Sequence, residues 1–438
     1  MRHGQVGRNG AAFEPNRRHL KIQAATRNSI RRCRFFCIVG VPGVQARLFR
    51  GRTAMNSPGN TVAVFRSRRP GATDLTRMRR KLLHWYRREA RDLPWRQRQD
   101  DPYAQWLAET MLQQTRVDTV IPYYRRFLRR FPTVRKLARA PLDDVLSLWA
   151  GLGYYSRARN LHRAAQVMVD RHSGRVPDSV EALRALPGVG RYTAGAVASI
   201  AFGLRAPILD GNVARVLARL FAICDDISTT SVRHRLWCLA EEILPRSRCG
   251  DFNQAVMDLG ATICTPRAPA CPLCPLRGLC RAHALGLADE LPRRTRNVSV
   301  SELHIASLIV RSGDSVLIRK RPSEGLWGGL WEPPGVEGSR TVGEPLLCSL
   351  LGAASARKIG GVLRLGGVSH QLTHRQVRFW VFLAEFSASR PRLPSNRGKP
   401  ALRWVQQNRL ASLPISRAHL KVFGLLARAG RSGRAQTA

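Results

Sequence analysis

Four cysteines, Cys264, Cys271, Cys274 and Cys280, stand at the spacing C-x6-C-x2-C-x5-C, which presents four thiolates to a single compact site. Zinc sites usually draw their ligands from two separated pairs, whereas a tight loop of four cysteines is what an iron-sulfur cube takes. Pro266, Pro269, Pro272 and Pro275 interleave the cysteines and keep the segment looped, so the thiols can point inward. The expectation is a 4Fe-4S cluster held by these four residues, with a disulfide pair or a zinc knuckle as the alternatives.

The remaining cysteines, Cys33, Cys37, Cys224, Cys238, Cys249 and Cys348, are scattered without a paired framework, which argues for a reducing compartment. The longest apolar run, Phe35 to Val44, is broken by Gly40, Pro42 and Gly43 and falls short of the roughly 18 to 20 residues of a membrane span. A soluble, intracellular protein without a membrane partner is expected. The 438 residues leave room for two or three domains, and a hydrophobic content of 44% fits a globular chain. The net charge of +44 calls for an acidic polymer as partner, with nucleic acid ahead of membrane headgroups. Arginine outnumbers lysine 66 to 7, so coding bias accounts for part of that excess and charge alone is supporting evidence.

Residues 1–75 carry fifteen Lys or Arg against Glu14 and Asp74, with no sustained periodicity, and are expected to be disordered. Arg31 to Arg34 before an apolar stretch imitates a signal peptide, and the arginine-rich composition a transit peptide; a start at Met55 or Met78 is the alternative account. From about Arg77 the apolar residues recur at helical spacing, through Leu82, Trp85 and Tyr86, then Trp106, Met111 and Leu112, then Val120 and Tyr124. This defines a helical domain over 76–290, followed by a linker at 291–300. Beyond the linker the period becomes two, at Ile305 to Val310, Val316 to Lys320 and Val377 to Phe386, before Ser416 caps a last helix carrying Leu420, Phe423 and Leu426. The fold class is therefore multidomain, all-helical and then mixed α/β over 301–430, with a tail at 431–438.

Leu186-Pro-Gly188-Val-Gly190-Arg191-Tyr192 separates an apolar-periodic segment from a small-residue helix. Glycines there let the backbone turn sharply and offer N–H groups to a phosphate at the helix N-terminus, the arrangement of a helix-hairpin-helix clamp on a DNA backbone. An ordinary helix-helix turn is the alternative for the string taken alone.

The hairpin, followed by Leu209-Asp210-Gly-Asn212-Val and then by the cysteine loop, resembles the endonuclease III superfamily of DNA glycosylases. Trp106-Leu-Ala-Glu109-Thr-Met-Leu-Gln-Gln114-Thr, together with Gly151-Leu-Gly-Tyr154-Tyr-Ser-Arg, resembles the adenine DNA glycosylases of the MutY family within it, over about 80–285. That resemblance implies that Glu109 protonates adenine at N7, and that Asp210 stabilises the oxocarbenium-like sugar, with Asn212 holding the water or the carboxylate. Breaking an N-glycosidic bond requires two carboxylates in different environments, and Glu109 among apolar neighbours would have its pKa raised. For each, an ordinary structural role is the alternative: a turn or N-cap acid for Asp210, an exposed helical acid for Glu109. The adenine would be flipped out of the stack first.

A lyase of this superfamily needs an amine nucleophile where this chain has Tyr192, and no lysine occurs between Lys136 and Lys320. The expectation is a monofunctional glycosylase acting on double-stranded DNA as a monomer, in a bacterial cytoplasm on the nucleoid. The resemblance further implies that Gln114 and Tyr154 enter the duplex beside the extruded base, and that Arg96 and Asp258 lie at the adenine edge. Packing is the alternative for Gln114 and Tyr154. Gly325-Leu-Trp-Gly-Gly-Leu-Trp331-Glu-Pro-Pro-Gly335 resembles the Nudix-like domain with which the family senses 8-oxoguanine opposite adenine. The acidic Nudix box does not follow, since 336–356 holds only Glu337 and Glu344, so a reader is expected rather than a hydrolase. Leu372, Thr373 and His374 stand where the family has Phe-Ser-His, retaining a hydroxyl and a ring nitrogen for lesion recognition while losing an aromatic surface. A plain role as strand-end polar residues is the alternative for His370 and His374. The cluster would staple a basic loop with Arg267, Arg277 and Arg281 against the DNA backbone. Two other readings stand beside this one: an endonuclease III-type glycosylase-lyase for pyrimidines, and a non-catalytic iron-sulfur DNA-binding protein.

Overall fold

The structure, a computed structural model, describes residues 36–37, 65–66, 71–295, 300–352, 356, 359–386, 393 and 401–432. Most of the extension over 1–75, part of the linker and most of the tail lie outside these residues. Residues Met1–Pro70 form a unit of their own, in which β1 (Phe36–Cys37) pairs antiparallel with β2 (Phe65–Arg66).

In the second unit, α1 (Ala72–Glu89) buries Met78, Leu82 and Tyr86, a four-residue spacing that puts one stripe inward. Helix α2 (Pro102–Leu112) has proline in its first turn and Asp101 as N-cap, accepting from the Ala104 N–H at 3.0 Å. It is apolar nearly all round and runs through the interior. Then follow α3 (Val117–Arg130), α4 (Val134–Arg139), α5 (Leu142–Trp149), α6 (Tyr155–Arg171), α7 (Val180–Arg184), α8 (Arg191–Ala201), α9 (Gly211–Leu220), α10 (Thr230–Ile243), α11 (Cys249–Thr262) and α12 (Arg281–Ala284). No helix among the described residues is long and apolar enough to cross a membrane.

Two apolar cores divide the helices. One gathers α2 to α6, with Trp106, Phe127 and Trp149; the other gathers α1, α9, α10 and α11, with Leu217, Phe252 and Leu259, and reaches Cys264, Cys274 and Cys280. Helix α8 serves both, Ala194, Val197 and Ala198 facing the first and Ala196 the second. The seam between the cores is where α2, α8 and α9 bring their polar residues together.

The sheet begins at β3 (Ser301–Ser312) and continues with β4 (Ser315–Lys320), β5 (Trp331–Glu332), β6 (Gly335–Glu337), β7 (Ile359–Gln371), β8 (Arg375–Phe386) and β9 (Leu402–Gln406). The order is β5-β4-β3-β8-β7, with β6 on β3 and β9 on β4. Strands β3 and β8 are parallel, with Ile305 opposite Phe379, and the other pairings are antiparallel. Alternate residues serve opposite faces. Ile305, Ile309, Val377 and Phe379 pack with Ala418, Val422 and Leu426 of α14 (Arg417–Ser432), while Leu308, Val310 and Ala384 pack with Leu347 and Leu350 of α13 (Glu344–Leu351). The Ser416 hydroxyl accepts from the His419 N–H at 3.1 Å, capping α14 as the sequence leads one to expect. An all-helical part followed by a mixed α/β part matches the change of period from 3.6 to 2.

Candidate active site

Glu109 sits on α2, only 3% exposed, and its Oε2 accepts a 2.9 Å hydrogen bond from the Tyr192 hydroxyl on α8. Burial pushes its carboxyl up to about 7; the Tyr192 hydrogen bond opposes this, the Asp210 charge adds to it and Arg96 opposes it. A group so poised carries a proton near neutrality. Burial, with the Glu109 and Asp210 charges, raises the Tyr192 phenol well above its ordinary range, so it stays a neutral donor.

Asp210 is the N-cap of α9, as its plainer reading has it, and it also stands beside Glu109. Its Oδ1 accepts from the Val213 N–H at 2.7 Å and its Oδ2 from the Asn212 amide at 3.2 Å. Burial raises this carboxyl too, and hydrogen bonds from Val213 and Asn212 with the Arg215 charge offset only part of the rise. Several donors favour the anion at Asp210, whereas one phenol serves Glu109. Glu109 is thus the readier of the two to hold a proton and Asp210 the better furnished to carry a charge.

Behind Asp210, Arg215 donates to Asn212 Oδ1 at 2.7 Å, to the Gly260 carbonyl at 2.6 Å and to the Cys264 carbonyl at 2.7 Å. It thereby ties the Asp210 turn to the start of the cysteine loop. Gly260 makes this approach possible, because a Cβ there would lie 2.7 Å from the Asn212 Cβ. One turn along α9, Arg219 is 2% exposed and donates to the carbonyls of Leu291 and Thr265, both at 2.7 Å, and toward Cys264 Sγ at 3.2 Å.

Among the described residues, no three Cys, His, Asp or Glu side chains close on one point as a single ion requires. Each iron of a four-iron cube takes one thiolate, so the four thiols need not meet at one centre. Cys271, Cys274 and Cys280 lie within electrostatic reach of Cys264, and burial raises all three, Cys274 to about 11. The guanidiniums of Arg215 and Arg219 face Cys264, a cationic wall that compensates thiolate charge when metal binds. This all-thiol donor set suits an iron-sulfur group. Replacing Arg219 by leucine strands several buried carbonyls and is expected to destabilise the helical domain by about 3 kcal/mol, read from denaturant unfolding.

The hairpin places Gly188, Gly190 and Arg191 at the surface. Gly188 has φ 76°, and a Cβ there would come within 2.7 Å of the Asn160 Cβ. Gly190 starts α8 with no capping side chain, leaving its first-turn N–H groups for a ligand, and Arg191 stacks over Trp237 at 3.9 Å from the ring centroid.

Gln114 and Tyr154 are both exposed and both left-handed, at φ 57° and 48°. The Tyr154 hydroxyl lies 2.6 Å from Thr373 Oγ1 in the β7–β8 turn. His374 is exposed beside it, while Leu372 is half-buried against the core. Arg159 donates to the Gly328 carbonyl at 2.5 Å and Asp143 pairs with Lys320 at 2.7 Å, joining the helical part to the Gly325–Gly335 segment.

Arg96 and Asp258, expected at the adenine edge, are engaged with each other at 2.7 Å. Asp258 is 0% exposed and also takes the Arg91 guanidinium at 2.6 Å, so both its oxygens are occupied. A carboxylate so buried must be paired, and here it fastens α11 to the α1–α2 connection rather than presenting an acceptor. Arg96 remains close enough to Glu109 to act on its charge. Arg91, Arg157, Arg215 and Arg219 carry no role in the sequence reading. Arg215 and Arg219 stand four apart on α9 among apolar neighbours, which is the one signal that could have marked them as inward-facing.

Residues 107–242 match the HhH-GPD superfamily of base excision DNA repair proteins, and residues 305–425 match the NUDIX domain. Fold and site together define a helix-hairpin-helix DNA glycosylase that binds DNA and acts on N-glycosyl bonds, followed by a Nudix-like domain. The chain is 37% identical over 404 residues to the adenine DNA glycosylase of Rattus norvegicus, covering 80% of this chain and 78% of that protein. It is 36% identical over 444 residues to the adenine DNA glycosylase of Homo sapiens, covering 88% and 80%. The structure of a thermostable thymine-DNA glycosylase is 31% identical, with TM-score 0.44, over 49% of this chain and 98% of that one. The chain belongs to the adenine DNA glycosylase (MutY) family, a membership that implies base excision repair at adenine and a metal cofactor.

Proposed function

We propose that this glycosylase hydrolyses the N-glycosidic bond of adenine mispaired with 8-oxoguanine or guanine and leaves an abasic site without cutting the strand. The observation that carries the reading is the pairing of Glu109, hydrogen-bonded to Tyr192 and pushed up to about 7, with Asp210 held by Val213 and Asn212. Glu109 gives its proton to adenine N7, the C1′–N9 bond breaks, and the adenine leaves neutral. Positive charge builds on the sugar beside Asp210. A water adds at C1′ and passes its proton to the Glu109 carboxylate, giving the abasic hemiacetal and restoring the acid.

Tyr192 occupies the position where a lyase would carry its amine, and its phenol is committed to Glu109. With no lysine between Lys136 and Lys320, nothing in the hairpin or the cysteine loop can form a Schiff base. Thr373 and His374 are the groups that would read the oxidised guanine. Cys264, Cys271, Cys274 and Cys280 would hold a 4Fe-4S cluster, which when bound supplies a rigid anchor for the loop bearing the exposed Arg267 and Arg277. We place the protein in the cytoplasm, acting as a monomer.

The test is a single-turnover assay on duplexes with adenine opposite 8-oxoguanine, with thymine glycol as competitor, quenched with and without alkali. Scission seen only after alkali supports the reading; thymine glycol cleavage without alkali would replace it with the glycosylase-lyase. The rate should also fall with pH above about 7, close to tenfold per unit, because the proton Glu109 must donate is lost there. A rate flat from pH 6 to 9 would count against Glu109 as the acid.

A further inference from the structure

We propose that Arg157 is a positioning residue that locks Gln114 and Tyr154 into one preformed wedge, an inference resting on the reading that those two side chains enter the duplex. Arg157 lies on α6, 7% exposed. One terminal nitrogen donates to the carbonyls of Thr110 at 3.2 Å, Met111 at 2.7 Å and Gln113 at 2.6 Å. The other donates to Thr115 Oγ1 at 3.0 Å and to the carbonyls of Leu152 at 3.4 Å and Gly153 at 3.1 Å.

Gln113 and Gly153 immediately precede the two left-handed residues. A non-glycine residue at positive φ is strained and persists only where its surroundings over-determine it. Here a single guanidinium holds the peptide ahead of each, so the two loops, some 40 residues apart in sequence, share one clamp. The Thr110 and Met111 carbonyls are the open end of α2, which carries Glu109 one residue earlier, so the clamp also fixes the helix bearing the candidate acid.

Several features separate this from ordinary packing. Burial draws the Arg157 pKa down to about 10, so the cation is retained near neutrality although, among the described residues, no carboxylate forms an ion pair with it. Its guanidinium carbon lies 5.5 Å from the Tyr154 ring centroid and 5.4 Å from that of Trp149, holding the exposed tyrosine from beneath. A lysine has the charge but a single nitrogen, and cannot span both loops.

The experiment follows extrusion of 2-aminopurine opposite 8-oxoguanine by fluorescence, in the full chain on a Glu109→Gln background that keeps the base attached. Arg157→Lys is expected to weaken extrusion about tenfold, the equivalent of releasing one strained residue, while affinity for undamaged duplex stays within about twofold. On a background carrying both Gln114→Ala and Tyr154→Ala the same change should have less than about a twofold effect, since both halves of the wedge are already lost. Unchanged extrusion by Arg157→Lys, or an equal loss on both backgrounds, would overturn the proposal. If Gln114→Ala and Tyr154→Ala themselves leave extrusion intact, it is the wedge reading that has failed. Should Arg157→Lys not fold, Thr115→Val removes one acceptor and is expected to weaken extrusion about threefold; no loss there is equally decisive against the clamp.

Discussion

Glu109→Gln is expected to slow adenine release by about a hundredfold to ten-thousandfold while leaving duplex affinity within a few-fold of the original, the range in which a positioned general acid acts. Glutamine keeps the volume of the side chain and can still accept the Tyr192 hydrogen bond, which measures 2.9 Å. Only the transferable proton is removed. The same variant should be more stable than the parent at alkaline pH. The folded pKa of Glu109 lies above its unfolded value, so the native state binds the extra proton and stability falls as pH rises from the ordinary carboxylate range through about 7. Glutamine has no such penalty. The difference should be absent near pH 4 and open to as much as about 3 kcal/mol by pH 8, read from denaturant midpoints at the two pH values. A variant that retained most of its turnover, or a stability gap independent of pH, would remove Glu109 from its role.

Helix α1 was legible because it buries an apolar stripe at the proper spacing, Met78, Leu82 and Tyr86. The strand β7 was not. Its sequence, Ile-Gly-Gly-Val-Leu-Arg-Leu-Gly-Gly-Val-Ser-His-Gln, is glycine-rich and its pairing with β8 shifts register twice, so neither strand propensity nor strict alternation announces it. The cysteine loop and the motifs around Glu109 and Asp210 are local strings, and local strings survive reading in one dimension. What joins them is carried by arginines: Arg215 between the Asp210 turn and the cysteine loop, Arg157 between the Gln114 and Tyr154 loops. In a chain with 66 arginines, the few that are buried look like the many that are not. Burial of a guanidinium is decided by which carbonyls the tertiary fold leaves open, and those carbonyls belong to residues of any type. The engagement of Asp258 with Arg91 and Arg96 escaped for the same reason, since motif matching placed the carboxylate near the base but could not see two guanidiniums closing over it.

Asp210→Asn should cut base release by about a thousandfold or more, as expected when a charge aimed at a developing cation is neutralised. It keeps the helix start, because asparagine is as good an N-cap as aspartate and the Val213 N–H, now at 2.7 Å, keeps an acceptor. The other oxygen, which accepts from the Asn212 amide at 3.2 Å, becomes a donor and gives up that hydrogen bond, so Asp210→Asn should cost about 1 kcal/mol of stability, and Asp210→Ala, which loses the cap as well, about 1 kcal/mol more. A second readout follows from the coupling of the two carboxyls. The Asp210 charge is one of the influences raising Glu109, so neutralising it should move the alkaline limb of the residual pH–rate profile to lower pH. A large loss of rate with that limb unmoved would mean that the two carboxyls do not sense one another. A small loss of rate would mean that Asp210 is only the cap of α9 and that the sugar cation is stabilised by another group.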